Sequence, residues 1–179
     1  MAHQRLEFPM PAGEAIVFDA FHQHCWRMRW DSLVSATHVL GGASCPFVGA
    51  VTENAGAGAL RALSMRTRFV SYEPPRVAAA TMVGRSFPFT KWAASMRHRS
   101  TAPNQSLLIY TYHFEVGPAA LRWVLEPIVK GVFDWQTRRR FARLRDFLAS
   151  HADDVARWQR SGAKGAMQQA SPETKWISI

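Results

Sequence analysis

The sequence predicts an α+β fold in which a curved antiparallel sheet of about six or seven strands wraps around one long C-terminal α-helix, with two short helices after the first strand. Three observations lead to it. A short extended segment and a helical pattern open the chain, and segments with strand character fill its middle. Only the stretch from 117 to 150 is long and periodic enough for a principal helix. The 179 residues suit one domain with its own core.

The first elements are short. Residues 5–10 are predicted to form a strand that ends before Pro11 and Gly13. From 14 to 26 the apolar residues recur at helical spacing, and a second helical turn is expected at 30–33.

His22, His24 and Cys25 raise the question of a metal site. Residues two apart on a helix point away from each other, and no further cluster completes a coordination shell. Cys25 and Cys45 are the only cysteines and form no C-x-x-C pair, which indicates a reducing compartment. We therefore expect no metal and no other cofactor.

The sequence also bears on location. Its first residues, MAHQRLEFPMPAG, lack the basic start and the apolar run of a signal peptide. No later stretch reaches the roughly 20 apolar residues that a bilayer span needs. Together with the cysteines this predicts a cytoplasmic, soluble protein, and the oligomeric state stays open between a monomer and a homodimer.

The middle of the chain alternates between strand-like segments and turn-rich breaks, as in an antiparallel sheet. The predicted strands are 34–40, 47–53, 60–71, 76–84, 90–100 and 106–116. The predicted breaks are Gly41-Gly42, 54–58, 73–75, Phe87-Pro88 and 102–104. The AGAGA run at 55–59 lacks the G-x-G-x-x-G spacing and a following helix, so we interpret it as a hairpin loop and not as a phosphate loop.

The strands are predicted to have one apolar and one basic face, because side chains alternate along a strand. Met65, Thr67 and Phe69 share a face, opposite Arg66 and Arg68. On a later strand, one face carries Trp92, Ala94, Met96 and His98, and the other carries Lys91, Ser95, Arg97 and Arg99. On the last strand, Tyr110 and Tyr112 align with Leu108 and Phe114 and are expected to point inward, opposite His113.

The long helix is expected to begin at Gly117-Pro118, with the proline at the first helical position. Pro127 should bend the helix without ending it. Trp123 and Val124 are expected either to pack beneath a loop or to line a cavity. One apolar stripe comprises Leu121, Val124, Leu125, Ile128, Val132 and Trp135, and a second comprises Val129, Phe133, Phe141, Leu144 and Leu148. Arg138, Arg139, Arg143, Arg145 and Asp146 are interpreted as a solvated face.

The net charge of +9 is unevenly distributed. Between Asn54 and Phe114 the only acid is Glu73, against eight basic residues. A basic sheet face attracts acidic partners, and it also keeps an outer sheet face in water. No helix-turn-helix, zinc finger or ribonucleoprotein motif accompanies the charge, so we expect no nucleic-acid partner.

Several stretches resemble the START-like SRPBCC superfamily of helix-grip proteins, in particular its polyketide cyclase/dehydrase and lipid-transport branch. The matching pieces are PAGEAIVFDAF with RMRWD, GG…FVGAVTEN, RFVSYEPPRVAAA and IYTYHFEVGPAALRWVLEPIV. The resemblance covers about Arg5 to His151. It implies a helix-grip ligand-binding domain over 1–152 and a C-terminal extension over 153–179, with the end of the helix and then a flexible segment.

The resemblance further implies a hydrophobic ligand cavity between the sheet and the long helix. Apolar residues on the inner sheet face and on the first helix stripe would line it, with His98, Tyr110 and Tyr112 to orient a ligand. The alternative is that these side chains merely fill a core. The predicted ligand-binding residues are Met65, Phe69, Trp92, Ala94, Met96, His98, Tyr110, Tyr112, Leu125, Ile128 and Val132.

Three functions follow as alternatives. The first is binding or transport of a hydrophobic small molecule or lipid, which needs only a cavity and a few polar groups. The second is a polyketide cyclase or aromatase acting in the same cavity. No Ser-His-Asp, H-E-x-x-H or paired-carboxylate motif marks the chain, so this enzyme would depend on His98, Tyr112 and Glu126. The third is an interaction module that docks an acidic partner on the basic sheet face.

Overall fold

The structure is a computed structural model that describes residues 1–32, 34–43, 45–56 and 64–162. Of residues 34–37, 55, 56 and 64 it describes the backbone only. In these ranges the chain forms seven strands, two short helices, one 3-10 turn and one long helix. They are β1 (Ala2–Met10), α1 (Glu14–His22), α2 (His24–Trp30), β2 (Val34–Val39), β3 (Val51–Gly56), β4 (Ser64–Glu73), β5 (Val77–Met82), β6 (Phe89–Ala102), β7 (Gln105–Val116), the 3-10 turn (Ala119–Leu121) and α3 (Arg122–Arg160). The predicted fold class is confirmed.

The seven strands form one antiparallel sheet in the order β1-β7-β6-β5-β4-β3-β2. From β2 to β7 each strand therefore pairs with the next in sequence, and β1 closes the edge beside β7. One row of inward side chains crosses four strands, because Leu6 pairs with Tyr110, Tyr110 with Met96 and Met96 with Ala78. The side chains of this row form a continuous part of the core from β1 to β5.

The predicted alternation of the two sheet faces is confirmed for the four arginines and for Met65, Trp92 and Met96, whereas Ser95, predicted on the basic face, lines the cavity described below. Arg66 and Arg68 on β4 are exposed, as are Arg97 and Arg99 on β6. Met96 is buried, and Met65 and Trp92 are partly buried. A register error of one residue would have reversed this pattern. His113 is exposed, as expected, while Tyr110 and Tyr112 point into the protein.

Helix α3 runs through Pro127 without interruption, so the prediction that this proline does not end the helix is confirmed. The predicted start is wrong. Pro118 is extended, with φ −74° and ψ 154°, and precedes the 3-10 turn instead of opening the α-helix. The ψ of Pro118 keeps the backbone extended after β7. The α-helix therefore begins only after the 3-10 turn, at Arg122.

Helix α3 also continues past the predicted domain boundary at 152, as far as Arg160. Val155 is fully buried in the core. Gln159 donates hydrogen bonds from Nε2 to the carbonyl oxygen of Ala15 at 3.1 Å and to Asp19 Oδ2 at 2.6 Å. These contacts with α1 order the last turns, and residues 163–179 of the predicted extension lie outside the described residues.

The buried stripe of α3 is the second predicted stripe. Phe141, Leu144 and Leu148 are buried in the core. Most of the first stripe is exposed, since Leu121, Ile128, Val132 and Trp135 each expose more than half of their surface and Val124 exposes 39%. Leu125 of the same stripe packs against the core. Trp123 exposes 80% of its surface and is not among the described residues that line the cavity between the sheet and α3. The first half of the helix is apolar nearly all round, so its periodicity did not determine which side faces the sheet.

The single helix predicted at 14–26 is instead two helices. The chain bends at Gln23, whose φ of −80° and ψ of 121° are extended. Trp30 explains the bend, because its indole nitrogen donates to the carbonyl oxygen of Ala20 at 2.9 Å and holds α2 against α1. The prediction of a helical turn at 30–33 is wrong for residues 31 and 32, because α2 ends at Trp30. Leu33 lies outside the described residues.

Two strand boundaries also differ from the prediction. Residues 47–50 form a turn, closed by the bond from Ala50 N to Phe47 O at 3.0 Å, and β3 begins only at Val51. The predicted break at 54–58 begins inside β3, because residues 54–56 pair with β2. Residues 57–63, including the predicted start of the next strand at 60, lie outside the described residues.

Candidate ligand-binding cavity

A cavity of about 440 Å³ lies between the inner sheet face, the two short helices and α3. This volume is within the usual range for small-molecule sites, roughly 300–1,000 Å³. Apolar and aromatic side chains form most of its wall. The sheet contributes Thr52, Asn54, Met65, Thr67, Phe69, Ala78, Ala80, Phe89, Trp92, Ala94, Ser95, Met96 and Tyr110, and the β5–β6 loop contributes Ser86, Phe87 and Pro88. The helices contribute Phe21, His22, Arg27, Ile128, Val129, Val132, Phe133, Gln136, Thr137, Arg140 and Phe141.

Eight of the eleven predicted ligand-binding residues lie on this cavity. The sheet places its predicted residues there through the period of two, and α3 adds two from its first stripe. Their role in binding a ligand stays a prediction. The eight are Met65, Phe69, Trp92, Ala94, Met96, Tyr110, Ile128 and Val132.

His98 lies away from the cavity, which corrects its expected position. It is buried beneath α1, with 5.4 Å between the centre of its ring and that of Phe18. Neither ring nitrogen has a hydrogen-bond partner among the described residues. Burial lowers the pKa of His98 to about 4, so the ring is neutral at neutral pH. His98 is therefore a poor candidate to orient a ligand.

Tyr112 is also off the cavity, although it points inward as predicted. Its hydroxyl donates to the carboxylate of Asp134 on α3, which also accepts a bond from Lys130 Nζ at 2.7 Å. Its ring is stacked on Phe114 with 5.6 Å between the ring centres. Burial, and then the bond to Asp134, raise the pKa of Tyr112 above its ordinary value. The hydroxyl thus fastens the sheet to the helix.

The two other predicted residues near this end of α3 have structural contacts. Leu125 packs against the core and does not reach the cavity. Glu126, named above for the enzyme alternative, forms an ion pair with the amino group of Met1 at 2.9 Å.

We predict that Tyr112→Phe leaves ligand binding unchanged and lowers the free energy of unfolding by about 1–2 kcal/mol, because only the bond to Asp134 is lost. Urea unfolding, together with titration of an apolar fluorescent probe, measures both quantities. If Tyr112→Phe instead abolishes probe binding without changing stability, Tyr112 takes part in ligand binding.

Sequence reasoning missed a buried charged cluster beside the cavity, of which Arg27 and Arg140 line the wall. The carboxylate of Asp31 is almost fully buried and accepts bonds at Oδ2 from Arg27 Nε at 3.0 Å and from Arg140 Nε at 3.0 Å. A second bond from Arg140, through Nη2, reaches the same oxygen. Both guanidinium groups lie over the ring of Phe21, at 5.0 and 4.9 Å from its centre. We call Arg27, Asp31 and Arg140 the arginine cluster.

The electrostatics of this cluster are unusual for an apolar cavity. Burial by itself would raise the pKa of Asp31, but Arg140 and Arg27 outweigh it and hold that pKa below its ordinary value. Burial and the neighbouring Arg140 lower the pKa of Arg27 to about 10, against the opposing effect of Asp31. Arg27 and Asp31 are therefore both charged at neutral pH. With the guanidinium group of Arg140, the cluster carries two positive charges and one negative charge.

Part of this cluster was visible in the sequence. Arg27 and Asp31 are four residues apart in the sequence, which is the spacing of a helical ion pair. Arg140 is 109 residues from Asp31, and only the packing of α3 on α2 joins them.

The cavity has an inner end and a mouth. At the inner end Phe21, Tyr110 and Phe141 are buried. At the other end Phe87, Ile128 and Val132 lie on the cavity and yet expose 73%, 59% and 51% of their surface. The mouth therefore lies between the β5–β6 loop and α3.

Among the described residues, none that lines this wall carries a carboxylate or a thiol. Within the described part of the chain, no three His, Cys, Asp or Glu side chains lie close enough to hold a metal ion. His22 is the one histidine on the cavity among those described. Its pKa is lowered well below the ordinary value by burial and then by His98, and its Nδ1 hydrogen bonds with the carbonyl oxygen of Phe18 at 3.0 Å.

Comparison with solved structures identifies the fold. A conserved protein from Geobacillus kaustophilus superposes with a TM-score of 0.67 at 12% identity, over 84% of this chain and 97% of that one. A START superfamily protein from Mycobacterium smegmatis superposes with a TM-score of 0.63 at 13% identity, over 79% and 92%. The di-domain ARO/CYC BexL of the BE-7585A biosynthetic pathway gives 0.66 at 9% identity, over 84% of this chain and 48% of BexL.

The chain thus has the START-like helix-grip fold, as its sequence resemblance implied. At these identities the likeness shows the fold alone, and the chain spans about half the length of BexL. No family model and no curated protein matches the sequence. Among the helices that the structure describes, none has the combination of length and apolar character needed to cross a membrane.

Proposed function

We propose that the chain binds a hydrophobic small molecule or lipid in the cavity between the sheet and α3. The observation that carries the proposal is the cavity itself, about 440 Å³ with a mostly apolar and aromatic wall and an open mouth. A filled core would leave no such volume, because protein interiors pack as densely as organic crystals. Met65 and Met96 add flexible side chains that adapt to ligand shape.

Binding or transport is favoured over a cyclase or aromatase. That enzyme would need a proton-transferring group beside the substrate. His98, Tyr112 and Glu126, the residues predicted for this task, lie off the cavity, and His22 is held by the backbone of Phe18. Carrying a ligand needs no such group.

We predict that Ala94→Phe blocks ligand uptake and changes the melting temperature little. Ala94 lies on the cavity wall, so the larger ring should enter space that a ligand would occupy. A fluorescence titration with an apolar probe should show at least a tenfold loss of affinity, about 1.4 kcal/mol or more. If the site were a packed core, the same change should cost about 1–3 kcal/mol of stability.

Ala93→Phe is the matched control, because Ala93 is the neighbouring residue on β6 and does not line the cavity. It should leave probe affinity unchanged. A parent protein that binds no apolar probe, combined with a large fall in melting temperature for Ala94→Phe, would contradict the proposal.

A further inference from the structure

The inner end of the cavity has more cationic than anionic groups. Arg27 and Arg140 both line it and share the single carboxylate of Asp31, which leaves a net charge of one positive unit in the wall. Their side chains expose only 14% and 20% of their surface. A buried positive charge is costly unless an anion accompanies it.

The hydrogen-bond donors of this cluster are not used up by the protein. Arg27 reaches Asp31 through Nε alone, and neither of its terminal nitrogens makes a hydrogen bond within the described part of the chain. Arg140 uses Nε and Nη2, and its Nη1 likewise has no bond to a described residue. The two terminal nitrogens of Arg27 form the flat fork that binds a carboxylate through two parallel bonds.

Tyr110 adds a neutral donor beside the two arginines. It is buried on the cavity wall, and its hydroxyl makes no hydrogen bond to any residue that the structure describes. Burial raises the pKa of Tyr110 to about 12, although Arg140 and Arg27 act in the opposite direction. The hydroxyl is therefore protonated at neutral pH and is available to donate a hydrogen bond to a ligand.

We propose that the cavity takes an amphipathic ligand with a single carboxylate head, which binds Arg27, Arg140 and Tyr110 at the inner end. One negative charge would neutralise the cluster, and a planar carboxylate matches the fork of Arg27. This inference rests on the proposed function, because it names the chemical class of the ligand in the same cavity.

The apolar body of this ligand lies along the cavity toward the mouth. Arg140 and Ile128 are twelve residues apart on α3, which is about 18 Å at 1.5 Å per residue. Between them the wall is formed by Phe133, Val132 and Val129 from the helix and by Trp92 and Ala94 from the sheet. A long-chain carboxylic acid fits this arrangement of one polar end and one apolar path.

The test compares cis-parinaric acid, a fluorescent long-chain acid, with its neutral methyl ester. The parent protein should bind the acid at least tenfold more tightly than the ester. Arg27→Gln should weaken binding of the acid by about 10- to 100-fold, the range expected for a bond between charged groups, and leave the ester unchanged. Asp31 keeps both bonds from Arg140 in this variant, so the fold should persist, which circular dichroism checks.

Arg29→Gln is the matched control. Arg29 is on the same helix, does not line the cavity and lies over the rings of Trp26 and Phe147. It should change neither affinity. Arg27→Lys should lose part of the preference for the acid, because it keeps the charge and removes the fork.

Four outcomes would overturn the inference. If the parent protein binds the acid and the ester equally, the cavity does not recognise the carboxylate, and the proposed binding of a hydrophobic ligand is unaffected. An equal loss of both probes in Arg27→Gln would assign Arg27 a structural role. If hexadecyl phosphate competes with the bound probe more strongly than palmitate does, the head group that the site recognises is a phosphate and not a carboxylate. If neither probe binds, the proposed function fails as well.

Discussion

Replacing Asp31 with asparagine is expected to lower the free energy of unfolding by about 3–5 kcal/mol. The carboxylate of Asp31 is 1% exposed and is the shared partner of Arg27 and Arg140. Asparagine keeps the shape of the side chain and removes its charge, so two buried guanidinium groups would then repel each other in a medium that screens them poorly. Urea unfolding at pH 7 measures the loss.

Asp146→Asn is the control for this prediction. Asp146 forms a 3.6 Å ion pair with Arg145, and both side chains are more than half exposed. Such a surface pair contributes about 0–1 kcal/mol. A similar small effect for Asp31→Asn would mean that the arginine cluster contributes little to folding.

The same cluster predicts how stability changes in acid. The pKa of Asp31 is depressed in the folded protein, so its contribution is fully present above the ordinary carboxyl pKa, near 4. That contribution is lost as the pH falls through the lower folded value.

His98 is expected to make the protein less stable as the pH falls from about 6.5 to about 4. Its folded pKa is about 4 because of burial, against an ordinary value of 6.5. In this window the unfolded chain binds a proton that the folded protein does not, so unfolding becomes more favourable at lower pH. The total effect of this one residue is about 3 kcal/mol, and it is complete below pH 4.

His98→Leu isolates this contribution. The difference in unfolding free energy between pH 7 and pH 4.5 should be about 2–3 kcal/mol smaller in the variant than in the parent protein. Part of the change will come through His22, whose pKa His98 helps to lower. His113→Leu, at an exposed position, is the control substitution. An unchanged pH dependence in His98→Leu would contradict the burial of a neutral imidazole.

The fold was predictable because local patterns determine most of it. The period of two on β4 and β6 assigned Met65, Trp92 and Met96 to the inner face, and the structure agrees. The long helix α3 was predicted from the periodicity of its apolar residues, and it continues through Pro127. Its orientation was not predictable, since an apolar stripe indicates a helix face without saying whether the sheet or water lies against it.

The candidate site was predictable in its apolar part and not in its polar part. The inner sheet face supplied six of the eight predicted residues that line the cavity. The arginine cluster depends on the contact of Arg140 with Asp31, which is 109 residues away in sequence. The position of His98 likewise depended on where α1 crosses the sheet, since an inward side chain can lie beneath a helix or beside a cavity.

Under the proposed function, the exposed side chains at the mouth bear on the rates of ligand exchange. Phe87, Ile128 and Val132 are separate side chains on a loop and on one helix face, and exposed side chains change rotamer in picoseconds to nanoseconds. A ligand that passes between them needs no separation of α3 from the sheet. Association would then be limited by diffusion and orientation, so different ligands should differ mainly in their residence times.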